Sequence, residues 1–106
     1  MRITSTLLAA ALACGAFPAL AQGDVEAGRA LAEENCARCH DIEPGGAMKT
    51  MPPSFASIAA FRTADEITGR IWFPPMHSRM PPMHMILTPQ DVDSLTDYIV
   101  SLEAAE

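Results

Sequence analysis

The stretch Glu34-Asn35-Cys36-Ala37-Arg38-Cys39-His40, ENCARCH, decides how the rest of this chain is read. Two cysteines separated by two residues serve three chemistries: a redox dithiol, half of a zinc site, or the anchor of a covalently attached cofactor. A thioredoxin-like dithiol belongs in a β-α-β context, and no stretch of this chain shows sustained strand alternation. Zinc needs two further ligands of suitable type. His77 and His84 are present, but there is no second Cys-x-x-Cys and no close histidine pair.

The residue after the second cysteine separates these readings. C-x-x-C-H is the attachment signature of c-type haem: both thiols add across the porphyrin vinyl groups, and the adjacent histidine reaches the iron. Cys36 and Cys39 stand about one helical turn apart and can meet neighbouring vinyls, which puts His40 under the iron as the proximal ligand. One haem c is therefore the expected cofactor.

The chain's beginning agrees with that chemistry. Met1-Arg2-Ile3 sets one positive charge before an apolar run from Leu7 to Leu20, too short and too rich in small residues for a membrane span. The run ends in Ala19-Leu20-Ala21, an A-x-A cleavage pattern, followed by polar Gln22-Gly23-Asp24. Residues 1–21 are expected to be a removed export signal, leaving a domain at 22–106 with no membrane span and a periplasmic location. Lipidation at Cys14 is the alternative, and Ala11-Leu12-Ala13 fits it poorly. Residues 22–106 keep six basic and all thirteen acidic side chains, a formal charge of −7. Nucleic acid is excluded as a partner on that charge.

A domain of this size buries only about 60–65% of the surface its unfolded chain exposes, and is marginal alone. Only Cys36 and Cys39 remain for a disulfide, and a bridge between them would constrain little chain. A porphyrin that removes on the order of 400 Å² of apolar surface from water contributes ~10 kcal/mol gross, so the cofactor itself is the expected core.

Outward from the motif, the pattern is helix and loop. Asp24 caps a helix carrying Val25, Ala27, Leu31 and Ala32 towards the cysteines. Asp41 to Pro53 reads as loop, with Pro44-Gly45-Gly46 and Pro52-Pro53. Ser54 to Ala60 forms a short helix presenting Phe55 and Ile58. Thr63-Ala64-Asp65-Glu66 has the form of a capping box and opens a helix through Ile67, Ile71 and Trp72. Pro74-Pro75 and Pro81-Pro82 exclude helix interior. Thr88 caps a last helix with Pro89 at its first position and Val92, Leu95, Ile99 and Leu102 at spacings of three and four. The fold class is all-α.

Taken in order, the helix running into CARCH, the PPSFASIA segment, the HSRMPP loop and the LTPQDVDSLTDYIVSL helix resemble the small class I c-type cytochromes of the bacterial periplasm. The resemblance implies a cytochrome c fold of three to five helices around one haem, with the terminal helices crossing. It also implies histidine-methionine ligation and a proline carbonyl accepting a hydrogen bond from the proximal histidine, here Pro53. The implied function is single-electron shuttling between a redox-protein donor and acceptor, by a monomer or in transient complexes, with no substrate chemistry of its own.

Four methionines compete for the distal position, Met76, Met80, Met83 and Met85. Met80 precedes Pro81-Pro82, which stiffens its backbone, and stands where the family's Met-Pro methionine falls. Met80 is the expected ligand, with Met83 and then Met85 next because the segment up to Thr88 looks long for the family. Copper binding by the methionine-histidine cluster is a further reading. Trp72 and Phe73 are expected in the core or against the haem, Tyr98 against the N-terminal helix, and Asp91, Asp93, Asp97 and Glu103 on a solvated face. Two other functions stay open: a five-coordinate haem enzyme or gas binder, and the electron-accepting subunit of a dehydrogenase complex.

Overall fold

The structure, a computed structural model, describes residues 23–48 and 51–103 together with Ala13 and Gly15. The expected export signal, including its cleavage point after Ala21, lies outside the described residues apart from those last two positions. Four α-helices follow in order, α1 (Val25–Asn35), α2 (Phe55–Phe61), α3 (Ala64–Trp72) and α4 (Pro89–Ser101), with one 3-10 turn at Met83–Met85 before α4. No strand occurs among the described residues, and the all-α expectation holds.

Each helix starts where a side chain can satisfy the free amides of its first turn. The Asp24 carboxylate accepts from the Glu26 and Ala27 amides at 2.9 and 3.3 Å. Thr63 and Glu66 close a reciprocal capping box on α3, and Thr88 and Asp91 close another on α4, with Pro89 in the first turn. Asp91 thus closes the cap of α4 from a half-buried position, through a bond to the Thr88 amide at the exposed surface. The loop after the cysteine motif turns at Glu43–Gly46, where the Gly46 amide donates to the Glu43 carbonyl at 3.3 Å. Gly45 takes φ +71° in that turn, the position at which a Pro-Gly pair is suited to a type II turn.

The core is the seam where α4 meets the other three helices. Val92, Leu95, Tyr98 and Ile99 of α4 and its C-cap Leu102 are buried with Ala32, Phe55, Ile67 and Ile71. Each such aliphatic side chain contributes roughly 1.5–3 kcal/mol by leaving water. α1 approaches α4 most closely at Gly28, where a Cβ would collide with the Ser94 carbonyl and stand 2.8 Å from the Tyr98 Cβ. The Asp24 amide donates to the Ser94 hydroxyl at 3.1 Å, fastening the same end of the contact. Of the apolar residues read on α1, Ala32 is buried and Leu31 packs against the core, whereas Val25 and Ala27 are exposed, and Gly28 is buried with Ala32. A tight helix contact selects the residue with no side chain. Phe73 is likewise 76% exposed rather than core, while Trp72 packs half-buried against the core.

Candidate functional site

Helix α1 ends at Cys36, whose φ of −122° leaves the helical conformation, and the Ala32 carbonyl also accepts from the Ala37 amide at 3.0 Å. The Cys36 amide still donates to Ala32 at 2.8 Å, while the Cys36 carbonyl accepts from both the Cys39 amide at 3.1 Å and the His40 amide at 2.9 Å. Cys36, Cys39 and His40 are thus fixed on one hydrogen-bonded turn. Both cysteines are free thiols, Cys39 exposed and Cys36 packed against the core. Burial pushes the Cys36 thiol up to about 11, so near neutral pH it carries its proton.

The His40 ring is oriented from behind. Its Nδ1 lies 2.6 Å from the Pro53 carbonyl, and a carbonyl only accepts, so Nδ1 carries the hydrogen. Nε2 is then the ring nitrogen with a free lone pair, the tautomer a metal ligand needs. The Phe55 ring holds the imidazole from the side, with centroids 5.5 Å apart, and Tyr98 stands behind Phe55 at 6.3 Å. Tyr98 does pack against α1, and its hydroxyl also donates to the Ile42 carbonyl at 2.6 Å, tying α4 to the loop that follows His40.

The loop from α3 to α4 places its methionines in different surroundings. Met83 is 4% exposed and belongs to the core, Met85 is 79% exposed, and Met80 is partly buried with one side against the core. Met76 is exposed, and His77 occupies φ +69° in the turn closed by the Ser78 amide on the Pro75 carbonyl at 3.1 Å. The His84 ring faces Phe73, with Nδ1 3.4 Å from the Trp72 carbonyl. Among the described residues no three of His, Cys, Asp and Glu gather as a metal site, so zinc finds no second half beside the cysteine pair.

The residues of the motif fit haem c: two thiols and an imidazole on one hydrogen-bonded turn, with the imidazole held in the tautomer a metal ligand needs. Comparison with protein families decides the identity, because the family model described as Cytochrome c matches residues 25–103. The chain belongs to the cytochrome c family. Its members bind haem c covalently and transfer electrons, and the Cys36–Cys39 pair followed by His40 is the fitting attachment site. No curated protein and no solved structure matches this cytochrome c chain. No helix among the described residues is long and apolar enough to cross a membrane.

Sequence reasoning placed Cys36, Cys39, His40 and Pro53 on the elements where they are found, but missed Ser54 and Ser57 behind the Pro53 carbonyl. Their signal was a serine directly before an apolar helical run, the same signal that was read at Thr63 and Thr88.

Proposed function

We propose that this cytochrome is an exported, periplasmic carrier of single electrons, with His40 and Met80 as the two axial ligands of its haem iron. The observation that carries the reading is the 2.6 Å bond from His40 to the Pro53 carbonyl, which commits Nδ1 and frees Nε2 for iron. Haem supplies the reversible one-electron couple; the polypeptide orients its ligands and keeps their geometry the same in both oxidation states. Met80 is supported by its surroundings. A ligand sulfur has to be held by packing yet keep an open side, and Met80 has both, whereas Met83 is enclosed and Met85 is unsupported. Thioether ligation raises the reduction potential, which suits an acceptor and donor rather than a ligand-activating enzyme.

The test is the weak red charge-transfer band of a methionine-ferric haem bond. It is expected in the oxidised wild type, to vanish with a lower potential in Met80→Ala, and to persist in Met83→Ala and Met85→Ala. Carbon monoxide binding to the reduced wild type would instead favour an open-site haem protein.

A further inference from the structure

The Pro53 carbonyl is held by its own neighbours. Ser54 is fully buried, at 0% exposure, and is the N-cap of α2. Its Oγ accepts from the Ser57 amide at 3.1 Å and donates to the Ser57 hydroxyl at 3.0 Å. That hydroxyl in turn donates to the Met48 sulfur at 3.4 Å. The next amide, of Phe55, donates to the Asp41 carbonyl at 2.8 Å, one residue beyond His40. From the other side, Gly46 approaches so closely that a Cβ there would stand 3.3 Å from the Ser54 Cβ.

These contacts converge on one rigid unit. The Pro53 carbonyl oxygen and the Ser54 nitrogen lie in the same planar peptide, so whatever fixes the Ser54 backbone aims the oxygen. Ser54 is held in the extended conformation of a cap, φ −66° and ψ 155°, by its side-chain bond to the first turn of α2. We propose that Ser54 is a positioning residue for His40, its capping bonds aiming the Pro53 carbonyl at the imidazole and so setting the electron density that His40 delivers to the iron. The inference rests on His40 being an iron ligand. A firm hydrogen bond at Nδ1 raises imidazole basicity and favours ferric iron. Loosening it disfavours the ferric state, so the reduction potential rises.

Four haem-loaded proteins test this: wild type, Ser54→Ala, Ser57→Ala and Thr63→Ala. Thr63→Ala removes a comparable cap from α3, away from His40. The readouts are the midpoint potential, the exchange rate of the hyperfine-shifted His40 Nδ1 proton in the ferric state, and the thermal midpoint. Ser54→Ala is expected to shift the potential upward and to speed exchange about fivefold, the factor that ~1 kcal/mol of lost capping converts to at 1.4 kcal/mol per tenfold. Ser57→Ala leaves the capping acceptor in place and should move both readouts less, in the same direction. Thr63→Ala should lower only the thermal midpoint. If Ser54→Ala behaves like Thr63→Ala, the proposal is overturned. Should Ser54→Ala yield no haem-loaded protein, an upward shift in Ser57→Ala sustains the proposal and an unchanged potential ends it. A wild type without any hyperfine-shifted imidazole N–H proton would remove His40 ligation itself, a result separate from every variant comparison.

Discussion

His40 has two ring nitrogens, and the Pro53 carbonyl takes one of them out of the choice of metal ligand; the motif and that proline were legible from sequence, while Ser54 and Ser57 behind the carbonyl were not. The C-x-x-C-H spacing is local and needs only one turn of backbone, so three residues announce themselves. The choice among the methionines of the loop before α4 is different, because the sequence offers stiffness beside prolines but not burial. Met83 illustrates this. It was a candidate ligand by position, and the fold seats it in the core, at the first residue of the 3-10 turn, where its carbonyl accepts from the Ile86 and Leu87 amides at 3.0 and 2.9 Å. Met83→Ala should therefore cost stability rather than ligation, roughly 2–4 kcal/mol for a buried methionine truncated to alanine. Denaturant unfolding of the haem-loaded variant measures this, and the methionine-iron band should remain. Loss of the band with stability unchanged would reverse the assignments of Met80 and Met83.

At the scale of the helix, the starts were readable and the contacts were not. Asp24, Thr63 and Thr88 act on amides two or three residues away, so a short sequence window contains the whole interaction. The 3-10 turn at Met83–Met85 is three residues long and carries no period to detect. Gly28 was invisible for another reason: hydrophobic patterning looks for side chains, and the α1–α4 seam requires the absence of one. Its backbone lies so close to Ser94 and Tyr98 that any Cβ meets main-chain atoms, which cannot swing aside as a long side chain would. Gly28→Ala should force the helices apart. Helix propensity alone would favour alanine by about 1 kcal/mol, so the sign of the change decides which effect wins. Overpacking of a close contact typically costs 1–3 kcal/mol, and here a backbone collision should bring a net loss of at least ~2 kcal/mol. Gly69 provides the comparison: a Cβ there meets nothing within 4 Å, and Gly69→Ala in α3 should stabilise. Thermal unfolding of the two variants should therefore move in opposite directions.

The whole molecule carries an acidic field with a basic interruption beside the site. Residues 22–106 sum to −7, and part of the small positive complement is already engaged, Arg29 with Glu33 and Glu43 at 3.3 and 3.0 Å and Arg62 with Glu66 at 3.9 Å. Arg38 lies inside the cysteine motif and Arg79 directly before Met80, both exposed. A redox partner approaching the haem thus meets two opposed influences, and distance decides between them. With Arg38 and Arg79 set aside the rest sums to −9, which at ~15 Å in water acts on a unit charge with roughly 2.5 kcal/mol before screening, while the two arginines at ~6 Å act with roughly 1.4 kcal/mol. The Debye length is about 30 Å at 0.01 M salt and about 10 Å at 0.1 M, so the net charge governs encounter at low salt and fades first. Reduction of the ferric protein by a cationic ruthenium ammine complex should therefore slow as salt rises from 0.01 to 0.1 M. Reduction by anionic hexacyanoferrate(II) should accelerate over the same range. Arg38→Gln and Arg79→Gln should each strengthen both slopes, because they remove charge opposed to the net field. If the two reagents showed reversed slopes, the arginines beside the ligands would outweigh the rest of the surface, and the natural partner would be expected to present acidic rather than basic groups.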